Sequence, residues 1–208
     1  MNVARLLLAA APVGFAAAAS AQVVIEQSTV APPTHATSLN FDEPGQATGS
    51  LPATYWQAEY GLVIDAGDGN PVVDNWSTIF GPWLGTGNSF FGNFGVFITF
   101  DSEVVEFAAQ VWDPSGPPGP IGGGLFVGAF LNGAEVASGM YTPAWGTDVD
   151  SWFDIHGENG ATFDEVRILG FGFDPSTFAD NLSWTAVPAP GVVAIFGLAG
   201  LARGRRRF

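Results

Sequence analysis

The stretch FGVFITFDSEVVEFAAQVW, residues 94–112, carries the clearest periodicity in the chain and decides its fold class. Phe94, Val96, Ile98 and Phe100 alternate with Phe97 and Thr99, the two-residue repeat of a strand with one face in a core. Past Asp101-Ser102 the phase changes. Val105, Phe107, Ala109 and Val111 now share one face, and Glu106, Ala108, Gln110 and Trp112 the other. The expectation is two strands joined by a hairpin turn at Asp101-Ser102.

The same grammar extends in both directions. Residues 37–43 place Leu39 and Phe41 on one side of an extended run that Pro44-Gly45 ends, and residues 55–65 form a looser second run. Residues 66–93, rich in glycine and asparagine with scattered aromatics, read as a long loop. The prolines at 114, 117, 118 and 120 make residues 113–124 another. Asn132-Gly133 predicts a type I′ turn between strands over 125–131 and 134–137, because both residues tolerate the positive φ that this turn demands. Runs at 152–155, 165–173 and 178–184 complete about nine strands. No segment shows a 3.6-residue repeat. The fold class expected is all-β, an antiparallel β-sandwich or jelly roll, with one domain over residues 37–186 and a lead-in segment over 22–36.

Charge is distributed unevenly. All 20 acidic residues fall between Glu26 and Asp180, and the same span holds Arg167 as its one basic residue, leaving it near −19. Such a surface repels nucleic acid and draws cations, calcium foremost outside the cell, or else serves solubility in a salty medium. There is no cysteine, so disulfide frameworks, thiol catalysis and cysteine-held clusters are excluded. With only His35 and His156, no histidine-rich zinc or copper site is expected.

Four sets of residues are candidates for chemistry. Asp42 and Glu43 close one early strand while Asp180 and Asn181 lie in the last, and first and last strands of a sandwich are often neighbours. Their oxygens would suit calcium, against a reading as solvated turn residues. Asp65, Asp68 and Asn70 form a second acidic loop, without the spacing of an EF-hand; Asp148, Asp150 and Asp154 form a third. Five of seven tryptophans, Trp76, Trp83, Trp112, Trp145 and Trp152, sit in or beside expected loops. They are read either as a platform for sugar rings or as apolar plugs. No nucleophile elbow, phosphate loop or H-E-x-x-H is present, and acidic pairs at glycosidase separation are uninformative in so acidic a chain. His156 reads as a strand-end residue rather than a base.

The ends give an address. Arg5, the apolar run from Leu6 to Ala19 and the Ala19-Ser20-Ala21 site form a secretory signal peptide over residues 1–21. Residues 187–208, VPAPGVVAIFGLAGLARGRRRF, comprise a proline linker, a short apolar helix and an arginine cluster. The apolar part is shorter than the roughly 20 residues of a comfortable membrane span. The arginines stay on the cytoplasmic side. Val187, Pro188 and Pro190, the apolar segment, and Arg203 with Arg205, Arg206 and Arg207 resemble the PEP-CTERM sorting signal of exported bacterial proteins. Ala189 stands where that family usually has glutamate. The strand Phe178–Trp184, with Asp180-Asn181-Leu182-Ser183, is similar to the one that often precedes such tails.

The resemblance implies an inner-membrane precursor processed by an exosortase-type enzyme and delivered to the cell surface or extracellular matrix. It covers about a tenth of the chain and implies no catalytic residues. The expectation is a non-enzymatic surface protein that contacts glycan or exopolysaccharide. Two alternatives stand beside it: a structural or adhesion protein with calcium-stabilised loops, and a polysaccharide-active enzyme.

Overall fold

A computed structural model describes residues 20–68, 71–80, 87–112, 124–142, 152–171 and 176–188. Twelve strands run in chain order: β1 (Gln22–Ser28), β2 (Thr37–Leu39), β3 (Gly49–Ser50), β4 (Leu62–Ala66), β5 (Val72–Asp74), β6 (Ser89–Gly92), β7 (Val96–Trp112), β8 (Gly124–Leu131), β9 (Ala134–Tyr141), β10 (Trp152–Glu158), β11 (Phe163–Phe171) and β12 (Thr177–Ala186). Two single-turn helices, α1 (Gln57–Tyr60) and α2 (Ser77–Phe80), interrupt them. Every pairing is antiparallel. The expected antiparallel β class is therefore what the described residues form.

Residues 94–112 do not form a hairpin. They hold one 17-residue strand, β7, that serves two ladders in turn. Its first part, from Val96 to Phe100, lies between β4 and β11. Its second part lies between β10 and β12. At the join Val104 pairs with Ala186 and Glu106 with Thr185, so Val105 is an extra residue, a β-bulge. The bulge changes the parity of the inward face. Val96, Ile98 and Phe100 point into the core before it, and Phe107, Ala109 and Val111 after it. The phase change in the sequence is real, and its cause is a bulge rather than a turn. The chain stays extended through Asp101-Ser102-Glu103 because its polar groups are taken. Asp101 N donates to Gly61 O, Gln57 Nε2 to Asp101 Oδ1, Thr162 Oγ1 to Glu103 Oε2, and Val187 N to Glu103 O.

One hydrophobic cluster is shared by both parts of the sheet, from Leu62 and Ile64 on β4 to Phe153 and Ile155 on β10. The sheet is thus folded over one main core. Its open side closes between β9 and β1: the Tyr141 ring packs edge-on against Phe153 with centroids 5.1 Å apart, and its hydroxyl donates to Ile25 O.

Other departures from the sequence pattern have local causes. Residues 22–28, expected as lead-in, add strand β1 beside β10. The run 55–65 breaks into α1 and β4, because Gly61 ends the helical turn at φ 67°. Residues 66–93 include two strands and α2. Phe94, expected inward, sits in a tight turn at φ 64° and is 55% exposed. Asn132 and Gly133 do adopt positive φ, 51° and 77°, and join β8 to β9 as their chemistry requires. Phe107→Ala removes a fully buried ring beside the bulge, 5.9 Å from Phe100, and should cost roughly 3–5 kcal/mol in urea unfolding. The exposed Thr99→Ala should stay within about 1 kcal/mol.

Candidate functional site: a strapped sheet face and a sealed carboxylate cluster

The outer face of the second ladder is where functional groups converge. β1 lies beside β10, and β2 lies beside β12, so the chain between them must cross β10, β7 and β12. Four inter-strand steps amount to about 19 Å. The eight residues 29–36 reach at most about 28 Å, enough to make that crossing as a strap. Pro32 and Pro33 hold it extended. On the same face of β7, Ala108 is 1% exposed and Gln110 5%.

His35 pins the strap. Its Nδ1 is 3.5 Å from Glu106 Oε2 on β7, and its Nε2 is 3.7 Å from Asp154 Oδ1 on β10. His156 Nδ1 stands 3.9 Å from the other oxygen of Asp154. Antiparallel register sets this up, since His156 is opposite Glu106, and Trp152, Asp154 and His156 alternate on one face of β10.

Trp152 lies two residues before Asp154 and is half-buried. It borders two clefts that flank the strap. One, of about 190 Å³, is lined by Trp152 together with Thr34, Ser38, Asn40, Asn181 and Ser183. The other, of about 410 Å³, is bordered by Glu26, Gln27, Ser28 and Asp154. An apolar ring ringed by amides, hydroxyls and carboxylates is the chemistry of a polyhydroxylated ligand.

The first cleft rests on the carboxylate cluster foreseen from Asp42, Glu43, Asp180 and Asn181. β12 changes its outer neighbour from β6 to β2 between Ala179 and Leu182, and its ladder to β7 is bulged there, with Asn181 at φ 51°. The residues after β2 and before β6 fill the gap. Asn40 N donates to Glu43 Oε1, Asp42 N to Asn40 Oδ1, and Asn88 N to Asp42 Oδ1. Gly87 has no side chain where Asp42 lies; a Cβ there would overlap Asp42 Oδ2. Phe41 is forced to φ 61° and buries its ring completely against Trp56 and Phe90. Asn181 Nδ2 donates to Gln110 Oε1 at 2.7 Å.

Asp180 is 4% exposed, and its Oδ1 accepts from Asn181 N. Burial pushes its carboxyl up to about 8, and Asp42 and Glu43 push in the same direction against that hydrogen bond. Glu43 Oε2 is buried without a hydrogen-bond partner. At neutral pH this cluster therefore calls for a proton or a cation. Among the described residues no three His, Cys, Asp or Glu side chains already converge on one metal position.

The remaining candidates are dispersed. Asp65 Oδ1 accepts from Ala66 N, and Asp68 Oδ2 from Asn93 Nδ2, so these two are occupied locally. Trp112 is 2% exposed and packs with Phe178 in a small second core, which corrects its reading as a sugar platform. Trp76 packs against Phe91 and Phe178 in the same cluster. Asn70, Trp83, Trp145, Asp148, Asp150, Pro190, Arg203, Arg205, Arg206 and Arg207 lie outside the described residues. The approach of His35 to Asp154 and Glu106 was not readable from spacing.

No family model and no curated protein matches the chain. Among solved structures it is similar to the module CsCBM6-3 of Clostridium stercorarium in complex with cellobiose. Identity there is 11% with a TM-score of 0.28, over 73% of this chain and 94% of that one. It is also similar to a family 6 carbohydrate-binding module studied by binding sub-site dissection, at 8% identity and a TM-score of 0.30, over 75% and 100%. No residue role is carried over from either.

Asp180 gives a pH test. Its folded-state affinity for protons exceeds the unfolded one, so between pH 3.8 and about 8 the native state holds a proton that the unfolded chain releases. The cation-free protein should lose stability across that window as pH rises, by about 1 kcal/mol per unit from this group. Asp180→Asn should flatten the slope and be more stable than wild type at pH 8, as read from urea midpoints.

Proposed function

We propose that this chain is an exported, surface-sorted bacterial glycan-binding protein, a β-sandwich of jelly-roll type that acts by contact rather than by catalysis. The observation that carries it is the cleft whose lining Trp152 shares with Ser38, Asn40, Asn181 and Ser183. An indole stacks on the apolar face of a sugar ring while amides and hydroxyls bond its edge. An enzyme reading needs a proton-donating carboxylic acid within reach of substrate. Asp180 has the raised proton affinity, yet it is sealed and borders neither cleft, which favours binding. The signal peptide and the tripartite tail support export and exosortase-type processing. A polysaccharide of the envelope or matrix is the partner.

The test is a polysaccharide and glycan array with the purified protein, followed by calorimetry. Trp152→Ala should weaken binding at least about tenfold. Unchanged affinity in that variant, or an array with no ligand, would sink the assignment.

Calcium at the Asp42, Glu43 and Asp180 cluster belongs to the same proposal. It is supported by the buried, unpartnered Glu43 Oε2 beside the sealed Asp180. Calcium would neutralise the cluster and hold Asn40 and Asn181 at the cleft. Saturating calcium should raise the melting temperature by roughly 5–10 °C at pH 8, chelator should reverse it, and Asp180→Asn should abolish the effect. An identical midpoint with and without chelator counts against calcium.

A further inference from the structure

We propose that the larger of the two clefts at Trp152 is a subsite for a sugar bearing a free amine, so that the glycan bound is built from glucosamine-type units. The inference deepens the glycan-binding reading and rests on it. Glu26 on β1 stands directly opposite Asp154 on β10 in the antiparallel register, so both side chains leave the sheet on the same face. Both line the cleft of about 410 Å³ that Trp152 also borders. Like charges directly opposite each other on paired strands are destabilising, and a cation between them reverses the sign.

Among the described residues, no basic group supplies that cation in hydrogen-bonding range. Arg167, the one arginine or lysine between Glu26 and Asp180, is held by Glu165 through two hydrogen bonds. His35 Nε2, at 3.7 Å, and His156 Nδ1, at 3.9 Å, stand beyond hydrogen-bond reach of the Asp154 oxygens. The His35 side chain is 10% exposed, and its Nε2 and the Asp154 Oδ1 it faces are both buried without a hydrogen-bond partner. Glu106, opposite His156 on β7, adds a third carboxylate to this face. The charge is therefore met from the cleft side. An ammonium carries three N–H donors and can serve both carboxylates at once. Trp152 lies two residues before Asp154 on the same face, about 7 Å along the strand. Its indole offers apolar area to a sugar ring and attraction to the ammonium. The first cleft shares Ala31, Pro32 and Trp152 but has no acidic residue in its lining, so selection of the amine belongs to the second.

The experiment is calorimetry on the purified protein at about 0.15 M salt, where diffuse attraction is screened. The probes are glucosamine hexamers in β-(1→4) and β-(1→6) linkage, each compared with its fully N-acetylated counterpart. Acetylation removes the charge and keeps the ring. The amine form of one linkage should bind at least about tenfold more tightly than its acetylated partner. Glu26→Gln and Asp154→Asn should each cut that preference at least about threefold, while Glu135→Gln, an exposed carboxylate on β9, should leave it unchanged. Glu26 is exposed, so its variant keeps the fold, and circular dichroism checks all three. Acetylated forms bound as tightly as the amines overturn the subsite and leave the glycan-binding reading standing. An equal loss in Glu135→Gln marks diffuse attraction to an acidic surface and overturns it too. No binding of any hexamer also overturns the subsite, and the glycan-binding reading falls with it only if the glycan array is blank.

Discussion

The architecture depends on one extra residue. Val105 bulges from β7 and lets a single strand present even-numbered side chains to the core before it and odd-numbered ones after it. Without the bulge, the strand could not keep Ile98 and Phe107 in the same core while pairing with β4 and β11 in one part and β10 and β12 in the other. Bulges bend and twist the strand that carries them. Here the bend folds the sheet over its own apolar face. The polar residues just before the bulge are stabilised by hydrogen bonds from Gln57, Thr162 and Val187, each from a different segment, so the fold is fastened where it turns.

The position of the candidate site follows from that topology. Because β7 stands between β10 and β12, a chain leaving β1 for β2 has to cross all three. The strap crosses the face on which Ala108 and Gln110 are buried, and Trp152 borders the two clefts that strap residues line. A second irregularity, at Asp180-Asn181, lies where β12 exchanges one outer neighbour for another. Loop ends fill such a gap, and here they bring carboxylates. The strong acidity of the chain is thus partly inward: Asp180 is 4% exposed, while Arg167 is spent on a bidentate contact with Glu165 over the Phe130 ring.

Much of this was legible in the residues. Alternation identified the strands, the phase change near residue 102 marked the irregularity, and Asn132-Gly133 named its own turn. Pairing of β2 with β12 and the approach of Asp42 and Glu43 to Asp180 also follow the sequence expectation. Misreadings arose where a local pattern had two physical outcomes. Three polar residues end a strand when they face water, and continue it when other segments hydrogen-bond to them, as Gln57, Thr162 and Val187 do by donating to Asp101 and Glu103. A tryptophan beside a loop can be a platform or a plug; Trp112 is a plug because Phe178 is opposite it on β12.

What the sequence by itself determined is local: an all-β antiparallel chain, an acidic body and no cysteine chemistry. Alternation, proline placement and charge act over a few residues, so they can be read one segment at a time. Only the tertiary structure decided which polar groups meet. His35 reaches Asp154 and Glu106 because the strap must cross β10 and β7, and Asp180 is sealed because two loops close a gap beside its strand. Those are consequences of strand order, which depends on long-range pairing and leaves no mark in the spacing of any one stretch.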